Sequence, residues 1–362
     1  MKILFVYQFC TLGGVETVLK NRLGAFRKLG LSPHVVFLHD LGGSKIFEGL
    51  ENIHYEHRET ELRRIVEEGE FDFVIPIDTP EIYHPLRGSR FRGILVTEVH
   101  TNNLNNLKYV ARIRETGTRA IITPSHSEKA LIHKEIRGFD KNGVPIYVIP
   151  NPIDLELFYF REPKHNPAKK VIGWVGRLEK EKNWRHFLEI ASSLVERRSD
   201  LLFLIVGGYL AEKEVKNDLL TRAKQMDLMD HLKWVPRLEY DRMPGAYSLM
   251  GASKGCLITT SIIEPFGMTA IEAMACHCPV VASEVGGFRE IIEDGHNGFL
   301  YEVNNTPEAV KKIEILFECP SDRDRVTKNG RLAVETTYAS EKVVDKYLKV
   351  LEDLARQKSN DL

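Results

Sequence analysis

No apolar run in the 362 residues approaches the ~20 that a membrane-spanning helix requires, so no transmembrane segment is expected. The opening Met1-Lys2-Ile3-Leu4-Phe5-Val6-Tyr7 is too short for a signal peptide and lacks its cleavage pattern; it reads as the first strand of a cytoplasmic protein. Cysteine is scarce, and five is an odd number, which argues against a disulfide framework and fits a reducing compartment. Neither sign of charge dominates: 50 Lys and Arg stand against 51 Asp and Glu, leaving no global electrostatic case for nucleic acid. The dinucleotide fingerprint G-x-G-x-x-G and the P-loop G-x-x-x-x-G-K-[ST] are both absent, which argues against a dehydrogenase and a P-loop NTPase. Internal repeats and low-complexity tracts are missing too. The tight cluster Cys276-His277-Cys278 reads as small buried thiols where a helix exits into a strand, and no metal is assigned to it.

What is present is an alternation. Strand-like runs at 3–7, 34–38, 73–77, 93–99, 120–123 and 146–149 are separated by helical stretches, the pattern of a parallel α/β sheet. The polar segment Arg161 to Lys170, with two prolines and four basic residues, has linker character. The alternation then restarts with strands at 171–175, 201–206, 232–235, 255–260, 279–283 and 298–301, and with helical patterns such as Trp184 to Arg198 and Thr306 to Glu318. The expected organisation is a first Rossmann-like domain over 1–152, a linker over 153–169 and a second Rossmann-like domain over 170–338. A C-terminal helix over 339–362 follows, with Ser340 as its N-cap; packing of that helix back on the first domain is one reading of it. The fold class is thus α/β, two doubly wound domains facing each other across a cleft, with ligand-binding residues directly after strands.

Glu264 and Glu272 straddle a helix start. The loop Glu264-Pro265-Phe266-Gly267 follows a strand, Met268 to Ala275 reads as a helix, and its first N–H groups have no intrahelical partners and sit at the positive end of the dipole. Two carboxylates beside an anion-favouring helix start suit a polyhydroxylated, phosphate-bearing ligand, a sugar nucleotide. Gly176-Arg177-Leu178-Glu179-Lys180-Glu181-Lys182-Asn183 puts Arg177 and Lys182 on a strand-to-helix loop, with Asn183 available as a cap; two cations there could clamp a diphosphate. Gly13-Gly14-Val15-Glu16 after the first strand is a weaker anion cradle.

These segments, together with His100, Pro150-Asn151-Pro152-Ile153-Asp154 and Val285-Gly286-Gly287, resemble the retaining glycosyltransferases of family 4, which have the GT-B fold; the resemblance covers nearly the whole chain in order. It implies that Arg177 and Lys182 bind the donor diphosphate, Glu264 the donor-sugar hydroxyls and Glu272 the ribose. The stretch Phe266, Gly267, Met268 and Thr269 would bind sugar and phosphate through backbone, and Gly13 and Gly14 would face the phosphates. His100 would lie close to the transferred sugar. The pattern departs where the family has Pro-Ser before the first glutamate and this chain has Thr260-Ser261-Ile262-Ile263, where Pro-Asn-Gly is Pro-Asn-Pro, and where Val206-Gly207-Gly208-Tyr209 replaces Gly-Asp-Gly.

The function expected is retaining transfer of a hexose from a nucleoside-diphosphate sugar, UDP favoured over GDP, to a hydroxyl acceptor in glycan biosynthesis. The route implied is front-face substitution without a metal or other cofactor; the sole D-x-D, Asp322-Arg323-Asp324, reads as a solvated helix face. The acceptor would be a glycan, a lipid-linked molecule or a small molecule, with Glu16, Arg112 and Arg114 as acceptor-side residues. Residues 85–119 hold seven cations and two acids, Glu98 and Glu115, which fits either a solvated face or peripheral contact with the inner face of a membrane. A sugar-nucleotide-binding protein and an epimerase of the same fold are the competing functions.

Overall fold

Strands with few polar positions, such as Phe73–Ile77 with every residue buried, can only sit in the middle of a sheet covered on both faces, and the helices between them supply the cover. The computed structural model describes residues 1–11, 13–136, 139, 143–164 and 167–360. The chain divides into two compact units, Met1–Asp154 with Ala339–Leu362, and Leu155–Tyr338.

The first unit contains β1 (Ile3–Cys10), α1 (Gly14–Lys28), β2 (His34–Asp40), β3 (Ile53–Tyr55), α2 (Glu59–Gly69), β4 (Phe73–Ile77), α3 (Tyr83–Arg87), β5 (Ile94–Glu98), β6 (Ala120–Thr123), α4 (His126–Glu135) and β7 (Ile146–Val148). Its sheet runs β3-β2-β1-β4-β5-β6-β7 with parallel pairing throughout. The second unit contains β8 (Lys170–Val175), α5 (Trp184–Val195), β9 (Leu201–Val206), α6 (Lys213–Gln225), β10 (Leu232–Val235), α7 (Met243–Ala252), β11 (Cys256–Thr259), α8 (Met268–Ala275), β12 (Val280–Ser283), α9 (Phe288–Ile291), β13 (Phe299–Tyr301), α10 (Thr306–Glu318) and α11 (Pro320–Ala333). Its sheet runs β10-β9-β8-β11-β12-β13, also parallel. Each order reverses beside the unit's first strand, between β1 and β4 and between β8 and β11. Ligands bind beyond the carboxyl ends of strands at such reversals.

The last helix, α12 (Ser340–Asn360), belongs to the first unit, where Val343, Tyr347, Leu351 and Leu354 form one buried stripe against a core that includes Phe5 and Phe26. Four local expectations give way to tertiary contacts. Ser340 does not cap α12: its hydroxyl is buried without a partner. Asn183 stands before α5 in left-handed backbone (φ +52°), and its amide donates to Asn304 Oδ1 at 2.9 Å instead of capping. Residues 155–161 pack on the second unit, because Phe158 is fully buried with its ring on Tyr240. Asp322-Arg323-Asp324 is helical, but Arg323 turns inward and donates to the carbonyls of Gly251, Lys254 and Gly255 at 2.8–3.0 Å, satisfying chain at and just beyond the end of α7. His165 and Asn166 of the linker lie outside the described residues.

Candidate active site

In the second unit the loop after β8 and the loop after β11 are tied together before any ligand is considered. Thr260 Oγ1 donates toward the carbonyls of Lys182 (2.9 Å) and Asn183 (3.0 Å) and accepts from Trp174 Nε1 at 2.9 Å. The Ile262 N–H donates to Glu181 O at 2.9 Å, and Ser283 Oγ donates to Ser261 O at 2.6 Å. This side-chain scaffold occupies the place where the family pattern has Pro-Ser. It brings Lys182 Nζ to 2.7 Å from Glu264 Oε2, with the carboxylate only 10% exposed and Ser261 Oγ at 3.4 Å. Arg177 stays open, 68% exposed, its guanidinium 3.0 Å from Glu179.

Two glycines permit the close approach of the remaining loops. A Cβ on Gly287 would sit 2.1 Å from Phe266 O, and the Gly287 N–H donates to Glu264 O at 2.9 Å, so the turn after β12 lies directly on the Glu264 loop. Gly207, at φ +117°, would place a Cβ 2.2 Å from Gly176 O, so the Gly207-Gly208 turn after β9 lies on the start of the Arg177 loop. Phe266 is buried against Tyr338. Helix α8 starts at Met268 with no side-chain cap, leaving an anion-favouring helix start beside the Glu264 loop.

Glu272 lies on α8, buried, its Oε2 accepting from the Tyr247 hydroxyl of α7 at 2.8 Å. Burial pushes its carboxyl up to about 7, only partly offset by that hydrogen bond. Tyr247 was not foreseen from sequence; a tyrosine inside the mostly apolar Met243–Ala252 segment is the signal that marks it, since a buried hydroxyl needs a partner. The raised carboxyl has a stability consequence. Between about 4.5 and 7 the unfolded chain releases this proton and the folded chain keeps it, so stability is lost as pH rises through that window. Glu272→Gln is therefore expected to raise Tm at pH 8 relative to wild type, and to leave it nearly unchanged at pH 4.5, in thermal melts at the two values.

In the first unit, His100 follows β5 with its Nε2 at 2.9 Å from Glu98 Oε2 and its side chain 6% exposed. Its backbone N–H donates to both oxygens of Asp78, at 3.1 and 3.2 Å. Asp78 follows β4 in left-handed backbone (φ +45°), and burial raises its carboxyl to about 6. Gly13 stands at the N-cap of α1, Gly14 faces open space, and Glu16 is buried with its carboxylate on the Thr11 hydroxyl and N–H. Glu16 thus holds the turn after β1. Arg112 pairs with Glu115 on the exposed side of the stretch Lys108–Thr116, which also carries Arg114. Of the two acids in 85–119, Glu98 is buried and the seven cations are exposed, which leaves that face more basic than the residue count implied.

The model of the glycosyl transferases group 1 family matches residues 157–333. That segment, just under half of the chain, is similar to the glycosyl transferases group 1 domain. The loops that carry Arg177, Lys182, Glu264 and Gly287, and α8 with Glu272, all lie inside the matched segment, and Tyr338 lies just beyond it. Over 96% of its length the chain is 27% identical to an uncharacterized glycosyltransferase of Haemophilus influenzae, covering 98% of it. It is 30% identical over 186 residues to the sucrose synthase of Denitrovibrio acetiphilus, 48% of this chain, and spans only 24% of that enzyme. It spans 49% of spore coat protein SA of Bacillus subtilis, at 25% identity. Among solved structures, Anabaena Alr3699/HepE in complex with UDP and glucose matches with a TM-score of 0.83 and 19% identity over 98% of this chain and all of that one. Sucrose-phosphate synthase of Thermosynechococcus elongatus matches with a TM-score of 0.80 and 16% identity, over 98% and 99%. The chain therefore has the two-sheet α/β fold of the GT-B glycosyltransferases, as the resemblance implied. No helix among the described residues is long and apolar enough to cross a membrane.

Proposed function

We propose that the protein is a retaining glycosyltransferase that moves a hexose from a UDP-sugar to a hydroxyl acceptor. The observation that carries this reading is the Lys182–Glu264 pair beside the uncapped start of α8, with Arg177 exposed on the same loop as Lys182. An incoming diphosphate satisfies Arg177, the free N–H groups of the helix start and the remaining donors of Lys182, while Glu264 keeps acceptor capacity for sugar hydroxyls. Glu272 is assigned to the ribose and His100 to the transferred sugar. The UDP assignment draws on the UDP and UDP-glucose complexes of Anabaena Alr3699/HepE.

In the proposed reaction the acceptor oxygen attacks the anomeric carbon on the face from which the nucleotide departs. The bond from that carbon to the β-phosphate oxygen breaks, and the acceptor proton passes to the departing phosphate. Arg177, Lys182 and the start of α8 stabilise the charge that grows on the diphosphate, the task a divalent cation performs in metal-dependent transferases, so transfer is proposed to proceed without one. The acceptor is a glycan, a lipid-linked molecule or a small molecule, with the basic face of 85–119 available to an anionic lipid surface.

Incubation with UDP-, GDP- and ADP-sugars, following nucleotide release with and without acceptor, tests the reading. Acceptor-stimulated release from a UDP-sugar is expected. Binding without release would indicate a sugar-nucleotide-binding protein, and conversion of the sugar without release an epimerase.

A further inference from the structure

Glu98 is a fully buried carboxylate at the end of β5 with three donors converging on it from three parts of the first unit. Arg22 Nη1 of α1 lies 2.7 Å from Oε1, the Tyr347 hydroxyl of α12 also donates to Oε1, and His100 Nε2 lies 2.9 Å from Oε2. The Arg22 guanidinium is itself buried, its carbon 4.5 Å from the centre of the Tyr347 ring. An ionised carboxylate can only accept hydrogen bonds. Burial alone would raise Glu98, yet the Arg22 charge and the hydrogen bonds from His100 and Tyr347 outweigh it and hold the carboxyl below its usual range, so the carboxylate is ionised throughout the neutral range. The ring nitrogen that meets it must therefore carry the hydrogen, and in a neutral imidazole the other nitrogen, Nδ1, is left as an acceptor.

We propose that Glu98 is a positioning residue for glycosyl transfer: it locks the His100 ring in the Nε2–H tautomer, so that Nδ1 accepts a hydrogen bond from a hydroxyl of the transferred sugar. The proposal rests on the assignment of His100 to that sugar. It adds the residue that dictates which ring nitrogen meets the sugar, and it makes a hydroxyl donor a requirement of the sugar bound there. Asp78 makes its hydrogen bonds to the backbone N–H of His100 and not to the ring, so Glu98 is the carboxylate that meets Nε2. Arg22 keeps Glu98 ionised, and Tyr347 carries the arrangement into α12.

The test pairs Glu98→Gln with Arg22→Met. This double substitution removes both buried charges together, avoiding the unfolding expected when one is left unpaired. A glutamine offers both a carbonyl and an NH₂ group, so it permits either tautomer where the carboxylate permits one. Nitrogen-15 NMR of histidine-labelled protein at pH 7.5, with His100 assigned by its absence from His100→Ala, reads the tautomer without any ligand. Wild type is expected to show His100 as the Nε2–H form, and the folded double variant a mixture. Turnover of whichever sugar nucleotide in the UDP, GDP and ADP panel the wild type cleaves is expected to fall roughly 10- to 100-fold, as when the outer partner of a metal-bound histidine is lost. A wild-type Nδ1–H form, or an unchanged tautomer and turnover in the double variant while His100→Ala is inactive, would overturn the role of Glu98. Full turnover in His100→Ala would overturn the assignment of His100 to the sugar, and the proposal with it.

Discussion

Arg177→Ala is expected to lower kcat for transfer by about 10²- to 10³-fold while leaving Tm close to wild type. The rate effect follows from removing a fixed cation that stabilises charge on the departing diphosphate, in the range observed when a single preorganised donor is deleted from an active site. The absence of a stability effect follows from geometry: the side chain is 68% exposed and its ion pair is with Glu179, itself 44% exposed, and such pairs contribute little. Lys182→Ala should reduce the rate as much or more and should also lower Tm, because it strips the Glu264 carboxylate, 10% exposed, of its cation. Steady-state kinetics and thermal melts on the two variants separate the effects. Near wild-type turnover in both would remove the diphosphate clamp.

Arg22→Met should destabilise the first unit by about 3–5 kcal/mol, because it leaves Glu98 buried without its cation. At ~2–4 °C per kcal/mol for a unit of this size, the melting transition should fall by about 10 °C. Adding Glu98→Gln to Arg22→Met should restore much of the loss, since an uncompensated buried charge costs more than a missing pair. Failure of the second substitution to restore any stability would mean that Arg22 acts through packing on Phe5 and Tyr347 instead of through charge.

The parts of this structure that were legible in the sequence are those governed by local pattern. The Met268–Ala275 and Thr306–Glu318 helices fall where the helical patterns and the loop Glu264-Pro265-Phe266-Gly267 place them. The two doubly wound sheets follow from buried β-branched runs alternating with helices. What could not be read was cross-chain pairing. Arg22 and Glu98 are 76 residues apart, and Glu98 and Tyr347 are 249 apart; nothing in their neighbourhoods announces a shared carboxylate. Glu98 counted in sequence as an acid moderating a basic surface, whereas it is spent in the interior. Asn183 and Ser340 failed as caps for a related reason. The local rule supplies a side chain of the right type, and tertiary packing decides whether its oxygen can reach a backbone N–H. The Lys182–Glu264 pair was equally hidden, since each residue was read toward a ligand and neither toward the other.

Retention of configuration during cleavage of a nucleoside-diphosphate sugar is the most direct test of the account, because it probes the donor class and the front-face route together. Proton NMR of the anomeric signal during slow donor hydrolysis, read before the free sugar equilibrates, should show an α-linked UDP-sugar releasing the α-anomer first. First appearance of the β-anomer would contradict front-face substitution, and the absence of cleavage across UDP-, GDP- and ADP-sugars, with or without acceptor, would contradict glycosyl transfer itself.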